Sequence, residues 1–491
     1  MQLAEPDNRL PYGFAKKYGV FVQRERDRGM TVFYKAGVTA SVLAEVRRFM
    51  GIGLQCRQVE GDGFEDMLAQ AYQHKAGSAQ KVAEDAGEAL SLEHIANSVT
   101  ESGDLLAQED DAPVVRLINA LLLEALRDGA SDVHIETFER SLRVRLRIDG
   151  ILQDTLRLQP ALAPLLVSRI KVMARLDIAE KRLPQDGRIS LRVGGREVDV
   201  RVSTMPVGAG ERVVLRLLEK QAGKLDLEQL GLTQEGMQAL AGMIQKPHGI
   251  VLITGPTGSG KTTTLYAMLS RLNDRRRNIM TVEDPIEYQI EGIGQTQVNT
   301  KVDMTFARGL RAILRQDPDV VMIGEIRDVE TARIAIQASL TGHLVLSTLH
   351  TNSAIGAVTR LTDMGIEPFL LSSSLVGLLA QRLVRTLCQE CREAYHASPS
   401  ESRFLGLRDL PVLYRAKGCA ACRGTGYRGR IGIHEIVAVD EAMRALIHER
   451  SGEATMVACA RRMGPGIADD GRIKILEGIT TVEEVMRVTS D

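Results

Sequence analysis

The central part of the chain alternates short apolar runs with segments whose apolar residues recur at helical spacing. Short apolar runs bounded by turn residues are typical of strands that are buried on both faces. We therefore predict strands at Gly249–Thr254, Asn278–Glu283, Val320–Ile323 and His343–Leu349, and helices at Lys261–Asn273, Phe306–Arg315 and Val329–Ser339. Strands and helices that alternate in this way favour an α/β fold with a largely parallel sheet flanked by helices.

The patterns upstream differ from this one, and they indicate smaller domains. Residues 112–218 begin with a helical pattern after Pro113 and continue with alternating strand patterns, which indicates an α+β domain. Residues 1–75 combine short apolar runs with one helix-like segment and are predicted to form another small α+β domain. Residues 76–111 are rich in Ala, Glu, Asp, Ser and Gly, so we predict a flexible linker there.

Length and charge restrict the classes of function that the chain can serve. A chain of 491 residues is too long for a single hydrophobic core, so several domains are expected. The 62 basic and 63 acidic residues give a formal net charge of -1, whereas general nucleic-acid binders carry a clear basic excess. No apolar run reaches the roughly 18 residues of a membrane helix, and the first residues lack a signal peptide's apolar stretch. We therefore expect a cytoplasmic protein, for which any membrane association is peripheral or through a partner.

A phosphate-binding loop follows the first central strand. Its pattern, Gly255-x-x-x-x-Gly260-Lys261-Thr262, stands between a buried strand and a helix. Glycines let backbone N–H groups wrap the phosphates, and the helix N-terminus adds partial positive charge. Lys261 is expected to reach the β- and γ-phosphates of ATP, and the Thr262 hydroxyl to ligate Mg²⁺. The predicted nucleotide-binding residues here are Gly255, Pro256, Thr257, Gly258, Ser259, Gly260, Lys261, Thr262 and Thr263.

Acidic side chains follow the next two central strands. Glu325 comes after Val320–Ile323 and is expected to organise Mg²⁺ through water or to act on the attacking water. Glu283 is a second candidate for the general base, and Asp284 and Glu287 come shortly after it. Because α/β sheets bind ligands beyond the carboxyl ends of their strands, these acids are expected at the nucleotide site.

Histidines and arginines supply the remaining candidates. His343 and His350 bracket the last central strand and are predicted to sense the γ-phosphate or to contact a neighbouring subunit. Phosphoryl-transfer motors often use an arginine from another domain or subunit to stabilise charge on the phosphates. The domain over 112–218 offers four such arginines, which are Arg188, Arg201, Arg212 and Arg216.

Four of the six cysteines form two Cys-x-x-Cys pairs, Cys388/Cys391 and Cys419/Cys422, separated by 27 residues. In a cytosolic chain this spacing indicates a metal site with four thiolate ligands and not disulfides. Zn²⁺ with four thiolates leaves no position for water, so the predicted role of the metal is structural.

Together these motifs resemble the secretion ATPases of the type II secretion and type IV pilus superfamily. The segments GPTGSGKTTTLY, TVEDPIE, LRQDPDVVMIGEIRD and TGHLVLSTLHTN occur in that order, after GASDVHIE and RLPQDGRIS. The resemblance extends over residues 112–491. The first domain is short, and its segment LPYGFAKKYGVFV (10–22) is similar to the start of the type II secretion ATPases in particular.

The resemblance implies an α/β fold, with a RecA-like P-loop ATPase domain that follows two smaller α+β domains and carries a tetracysteine zinc insertion. The predicted domains are a partner-binding domain at 1–75, the linker at 76–111, a PAS-like arginine-bearing domain at 112–218, the ATPase core at 219–384, the zinc insertion at 385–430 and a helical subdomain at 431–491. Glu325 matches the catalytic glutamate of the family, and Arg188 and Arg201 become the leading arginines, with Arg382 behind them.

The implied partners and activity are those of a secretion motor. Such proteins are homo-hexamers on the cytoplasmic side of the inner membrane, and their first domain binds a GspL-like inner-membrane protein. A GspF-like polytopic platform protein is the second implied partner, and no nucleic acid is expected. The predicted function is that of an ATP hydrolase of the translocase class, with ATP, Mg²⁺ and structural Zn²⁺, which drives pseudopilus assembly for type II secretion. Hydrolysis is expected to change the angle between two lobes through the connector 219–232.

Two alternatives stay open from the sequence. A type IV pilus extension ATPase would use nearly the same chemistry on a different cargo. A DNA-transport ATPase is disfavoured because the charge is balanced and no aromatic-basic stripe is present. A scaffold without activity is disfavoured because Lys261 and Glu325 are intact.

Overall fold

The computed structural model of the protein describes residues 113–193, 196–219 and 226–490, with positions 10, 15, 18–25, 29–50, 55–59, 63–64 and 67–68 before them. The predicted linker at 76–111 and residues 220–225 of the predicted connector lie outside the described residues. The chain divides into two compact units, Met1–Gln221 and Ala222–Asp491.

A three-stranded sheet with one helix forms the N-terminal part of the first unit. Its elements are β1 Val20–Glu25, β2 Gly29–Lys35, α1 Ala40–Met50 and β3 Gln55–Val59. Strand β2 is central, antiparallel to β1 and parallel to β3. Because strand side chains alternate between faces, Val20 and Val22 pack with the helix residue Val46, whereas Phe21 and Phe33 pack with Phe64 on the other face. This is the predicted small α+β fold.

An antiparallel six-stranded sheet with two helices forms the rest of the first unit. The helices are α2 Pro113–Arg127 and α3 Ala163–Met173, and the strands are β4 Ala130–Phe138, β5 Ser141–Ile148, β6 Ile151–Leu158, β7 Gln185–Val193, β8 Arg196–Val207 and β9 Gly210–Glu219. The sheet order is β6-β5-β4-β9-β8-β7. Strand β9 is not among the strands predicted from the sequence, and it lies inside this sheet between β4 and β8.

The second unit is built on a seven-stranded sheet of order β12-β11-β13-β14-β10-β15-β18. Its strands are β10 Gly249–Thr254, β11 Ile279–Glu283, β12 Gly294–Gln297, β13 Val320–Ile323, β14 Leu344–Leu349, β15 Leu375–Leu387 and β18 Tyr427–Ala438. All neighbours are parallel except β15 and β18. The predicted parallel sheet is confirmed, and the antiparallel edge pair extends it.

Helices cover both faces of this sheet. They are α4 Gln234–Ile244, α5 Lys261–Leu272, α6 Phe306–Ile313, α7 Val329–Leu340, α8 Gly356–Asp363 and α9 Pro368–Ser374. Successive residues of β10 join different cores, because Ile250 and Leu252 pack on one side of the sheet and Val251 and Ile253 on the other. A strand that is buried on both faces gives the uninterrupted apolar run seen in the sequence.

An excursion between β15 and β18 carries the four cysteines, and helices follow it. The excursion contains β16 Glu393–His396, α10 Pro399–Leu405 and β17 Val412–Arg415, and the later helices are α11 Glu441–His448, α12 Glu453–Met463, α13 Ile467–Leu476 and α14 Val482–Thr489. The tail is therefore mainly helical, but residues 431–438 belong to the sheet. The predicted boundaries at 384 and 430 fall inside β15 and β18.

One buried carboxylate holds the last helix on the sheet. Glu484 of α14 accepts hydrogen bonds from the backbone N–H of Arg385 in β15 at 3.1 Å and from the Arg385 guanidinium at 2.6 Å. The Arg487 guanidinium donates to the same carboxylate at 3.0 and 2.8 Å. Burial opposes the ionisation of Glu484, but these donors outweigh it and lower the pKa of this carboxyl to about 2.

None of the helices in the described part of the chain has both the length and the apolar character that crossing a bilayer requires.

Candidate nucleotide and metal sites

The phosphate-binding loop connects the buried strand β10 to helix α5. Gly255, Gly258 and Gly260 have φ values of 148°, 80° and 87°, a region that glycine enters far more readily than other residues. A side chain at Gly255 would lie 2.5 Å from the carbonyl oxygen of Gln381, and a side chain at Gly260 would lie 2.8 Å from Gln381 Nε2. Glycine is therefore required both by the backbone conformation and by the packing of the loop.

The remaining predicted residues of the loop differ in exposure. Pro256 and Thr257 form its exposed tip, and Ser259 is buried beneath it. Thr262 is exposed in the first turn of α5, and Thr263 beside it is half-buried. The backbone N–H groups of this first turn have no partner within the helix, so the turn can bind phosphate oxygens, and the Thr262 hydroxyl can ligate a cation there.

Lys261 folds back onto the loop. Its Nζ donates hydrogen bonds to the carbonyl oxygens of Gly255 at 2.6 Å and Pro256 at 3.1 Å. Burial and the nearby charge of Arg382 lower the pKa of Lys261 to about 8, although the charge of Glu325 acts in the opposite direction. Strands β10 and β13 are both parallel neighbours of β14, so Lys261 and Glu325 follow strands that end at the same edge of the sheet.

Glu325 lies just beyond the carboxyl end of β13. Its carboxylate forms an ion pair with the Arg327 guanidinium, and its Oε2 lies 3.4 Å from His350 Nε2. The side chain of Glu325 is 14% exposed, whereas those of Arg327 and His350 are 62% and 50% exposed. Ion pairs with such exposed partners contribute little free energy, so this carboxylate can exchange them for water or a ligand.

Glu283, the other predicted general base, is enclosed. It ends β11 and is 3% exposed. Its Oε1 accepts hydrogen bonds from Thr281 Oγ1 at 2.6 Å and from Gln295 Nε2 at 3.0 Å, and its Oε2 accepts one from the Tyr266 hydroxyl. A carboxylate that is occupied on both oxygens and sealed from solvent is better suited to holding neighbouring groups than to deprotonating water.

The two histidines lie at opposite edges of the sheet. His350 follows the carboxyl end of β14, next to Glu325. His343 precedes the amino end of the same strand, where its Nδ1 lies 2.8 Å from the carbonyl oxygen of Ala338. Because the phosphate-binding loop follows the carboxyl end of a parallel strand, only His350 is placed to respond to a bound phosphate.

Strand β15 adds Gln381, which the motifs did not reveal, and carries Arg382, the weaker arginine candidate. The buried Gln381 accepts a hydrogen bond from Thr264 Oγ1 of α5 at 2.7 Å, which braces the loop from behind. Arg382 donates from Nη2 to the carbonyl oxygen and side-chain oxygen of Asn352, at 2.9 and 3.3 Å. Asn352 follows closely after His350, so Arg382 connects the His350 segment with the phosphate-binding loop. The available signal for Gln381 was the polar pair Gln381-Arg382 directly after the apolar first half of the strand.

The leading arginine candidates belong to the first compact unit. Arg188 on β7 and Arg201 on β8 are cross-strand neighbours. Arg212 on β9 is held by Glu136, with an ion pair of 2.8 Å, and by His134, whose Nδ1 lies 3.1 Å from the guanidinium. The Arg188 side chain is exposed, and its guanidinium forms neither a hydrogen bond nor an ion pair with any described residue. Of these arginines, Arg188 is thus the most available to a ligand from outside its own unit.

The four cysteines of the excursion form one cluster. Their sulfurs all lie within 4.8 Å of one another, with Cys388–Cys419, Cys391–Cys422 and Cys419–Cys422 separations of 3.9, 3.7 and 3.7 Å. Four sulfurs bound at about 2.3 Å to one tetrahedral Zn²⁺ lie about 3.8 Å apart, whereas a disulfide needs about 2.05 Å. The donor set and its spacing therefore fit Zn²⁺.

Backbone donors prepare one of these sulfurs for a metal. The N–H groups of Cys419 and Gly426 each donate to Cys422 Sγ at 3.1 Å. Burial opposes ionisation of Cys422, but these donors prevail and lower the pKa of this thiol to about 6. Burial raises the pKa of Cys391 to about 12. A cation among the four sulfurs would therefore be needed to keep all of them as thiolates.

Comparison with known proteins covers nearly the whole chain. Residues 107–487 match the family described as type II/IV secretion system protein, and residues 9–72 match a domain described for GSPII protein E. Type II secretion system protein E of Pseudomonas aeruginosa is 62% identical, with 99% of this chain and 97% of that protein covered. Type II secretion system ATPase E of Vibrio cholerae is 56% identical, with 98% and 97% covered.

Solved structures are similar over the larger part of the chain. The pilus retraction motor PilT with bound ADP is 27% identical, with a TM-score of 0.52 over 76% of this chain and 96% of that one. The ATPase DotB of Legionella pneumophila is 21% identical, with a TM-score of 0.57 over 80% of this chain and 98% of that one. At that identity, the second similarity shows the fold alone.

Proposed function

Because the chain belongs to the type II/IV secretion system family, in its type II secretion protein E branch, we propose that it powers type II protein secretion by driving pseudopilus assembly at the inner membrane. The protein is an ATPase of this family. The observation that carries the activity is that Lys261 follows β10 and Glu325 follows β13, so that both lie at the carboxyl edge of the same parallel sheet. The match of residues 9–72 to a type II secretion domain supports the choice of secretion over pilus extension.

The hydrolytic step follows from the residues at that edge. The N–H groups of the phosphate-binding loop and the Lys261 ammonium would hold the phosphates, and the Thr262 hydroxyl would ligate Mg²⁺, which would offset their negative charge. Glu325 leaves its exposed partners and orients the attacking water, while His350 beside it contacts the γ-phosphate. Glu283 keeps the end of β11 in place next to Glu325. Such steps need little covalent chemistry, since phosphoryl transfer depends mainly on position and charge.

Arginines of the first compact unit complete the site in this proposal. Arg188 and Arg201 approach the phosphates of a nucleotide that is bound at a phosphate-binding loop, either of the same chain or of a neighbouring one. This role is supported by the Arg188 side chain, which is exposed and forms no hydrogen bond or ion pair with another described residue. The assembly in which this happens is a homo-hexamer.

The cysteine cluster holds a structural Zn²⁺. Cys388, Cys391, Cys419 and Cys422 would supply four thiolates, which leaves no position for a reacting water. The ion would fasten the excursion at its base, where Cys388 N–H also donates to the carbonyl oxygen of Gly426 at 2.9 Å. Its contribution is to the shape of the excursion and not to hydrolysis.

The proposed partners are an inner-membrane protein of the secretion platform, which binds residues 1–75, and a polytopic platform protein that receives the motion. Cytoplasmic location with peripheral attachment to the inner membrane follows from these partners. A pull-down with the full chain and with a variant that lacks residues 1–75 tests the first contact. Equal capture of the platform protein by both would contradict it.

One experiment tests both ATP hydrolysis and its role in protein secretion. Lys261→Ala and the control Lys246→Ala, an exposed lysine after α4, are each placed in a secretion strain that lacks its own ATPase. We expect Lys261→Ala to abolish ATP hydrolysis by the purified chain and export of secreted enzymes into the medium, whereas the control restores both. Restored surface pili without restored export would instead identify a pilus extension ATPase.

A further inference from the structure

Tyr266 is a buried tyrosine at the centre of the ATPase unit. It lies on α5, the helix that begins at the phosphate-binding loop, and is 1% exposed. Its ring packs edge-on against Tyr288, with the ring centroids 4.7 Å apart. A buried tyrosine hydroxyl usually has a hydrogen-bond partner, and this one has three.

The Tyr266 hydroxyl is the point at which three segments meet. It donates to Glu283 at the end of β11, and it accepts from the backbone N–H of Glu287 at 3.2 Å. Gln295 Nε2 of β12 lies 3.4 Å from the same oxygen and donates to Glu283 Oε1 at 3.0 Å. Burial and the adjacent Glu283 charge raise the pKa of Tyr266 well above its usual range, so the hydroxyl keeps its proton.

This cluster borders the catalytic edge. Residue Val282 of β11 is in register with Ile323 of β13, and the backbone N–H of Gly324 donates to the carbonyl oxygen of Val282 at 2.8 Å. The charge of Asp284, directly after Glu283, contributes with Glu325 to a raised pKa of Arg327. The position of the Glu283 backbone therefore bears directly on the position of Glu325.

We propose that Tyr266 is a positioning residue for ATP hydrolysis: its hydroxyl ties Glu283 and the segment after it to the phosphate-binding helix and so fixes Glu325 relative to the bound phosphates. The inference rests on the proposed ATPase function and adds a residue to it. It also assigns Glu283 to the same tether and not to water activation. Removing a hydrogen bond to a buried charged group costs about tenfold or more in the step that depends on it.

The test compares Tyr266→Phe with Tyr288→Phe in the full chain. Tyr288 belongs to the same aromatic pair, and its hydroxyl hydrogen-bonds to no described residue, so Tyr288→Phe is the matched control. We expect Tyr266→Phe to lower kcat for ATP hydrolysis about tenfold, with KM for ATP within about twofold of wild type. Tyr288→Phe should keep the kcat of the wild type. Because a partly unfolded sample would also show a lower apparent kcat at unchanged KM, kcat is calculated per nucleotide-binding site counted by stoichiometric titration, so that only folded chains contribute.

Glu283→Gln and the double variant Tyr266→Phe/Glu283→Gln complete the cycle. If the two side chains act as one tether, the double variant loses no more activity than the more damaged single variant. Wild-type turnover in Tyr266→Phe, or losses that multiply in the double variant, would overturn the inference and leave the ATPase assignment standing. A wild-type chain that hydrolyses ATP no faster than Lys261→Ala would overturn both.

Discussion

The pH dependence of nucleotide binding is the sharpest consequence of the position of Lys261. In the folded chain its pKa is lowered to about 8, chiefly by burial. ATP binds the protonated ammonium more tightly than the neutral amine, because only the ammonium attracts the phosphates. The protonated fraction falls from about nine tenths at pH 7 to about one tenth at pH 9, since each unit above the pKa reduces it tenfold. The dissociation constant should therefore rise about tenfold over this range.

The assay is calorimetric titration of the full chain with a non-hydrolysable ATP analogue at constant free Mg²⁺. Phosphate oxygens have lost their last protons below this range, so the ligand contributes little. Lys261→Arg is the matched control, because a guanidinium keeps its charge up to about pH 12 and should give a flat profile. A dissociation constant of the wild type that stays constant from pH 7 to pH 9 would refute the reasoning.

The same titration tests the pairing of Lys261 with Glu325. The charge of Glu325 raises the pKa of Lys261, while burial and Arg382 lower it. Glu325→Gln removes the one favourable charge, so the midpoint of the pH profile should move below 8. Hydrolysis in this variant should fall at least a hundredfold, which is about the contribution of a positioned acid or base. An unshifted midpoint would mean that the two groups do not interact.

Three further predictions concern the rest of the molecule. Metal analysis should find about one Zn²⁺ per chain, lost in Cys388→Ser and kept in the control Cys56→Ser, and a metal-free native chain would contradict the site. Glu484→Ala should lower the unfolding free energy by about 3 kcal/mol at pH 7. The pKa of Glu484 in the folded chain is lowered to about 2, so its stabilising effect is complete above its ordinary pKa near 4.5 and is lost as the pH falls towards 2. The unfolding free energies of wild type and Glu484→Ala, measured by urea titration, should therefore converge in acid. Arg188→Ala should reduce turnover without changing the melting temperature, whereas Arg212→Ala should lower the melting temperature because the buried Glu136 loses a guanidinium partner and keeps Arg145. Equal turnover in Arg188→Ala and wild type would remove the arginine from the site.

Much of the ATPase unit could be predicted because its chemistry is local in sequence. The strands around the phosphate-binding loop are buried on both faces, so their apolar runs are continuous, and the loop itself needs glycines at fixed spacing. The two Cys-x-x-Cys pairs likewise show their ligand set directly. The strands, the phosphate-binding loop and the cysteine pairs each depend on residues that are close together in the sequence, so sequence patterns can predict them.

The contacts that could not be predicted from the sequence join residues that lie far apart along the chain. Gln381 braces Thr264 across more than a hundred positions, and no local pattern predicts that pairing. The acidic motif around Glu283 suggested a base, but its burial depends on Tyr266 and Gln295 from other segments. The pattern placed a histidine at each end of β14, but it could not show that only the end with His350 lies at the same edge of the sheet as the phosphate-binding loop.

The long strand β15 has a mechanical consequence. It passes under the phosphate-binding loop at Gln381 and ends at the edge of the cysteine cluster, paired with β18 over almost its whole length. Seven residues of strand span about 23 Å, and a hydrogen-bonded ladder of that length bends far less than a loop. The excursion is thus attached to a stiff strand pair that also lies against the phosphate-binding loop. The exposed turn near Arg408 belongs to this excursion, so a fluorescent probe there would report displacements of the phosphate-binding loop from well outside the active site.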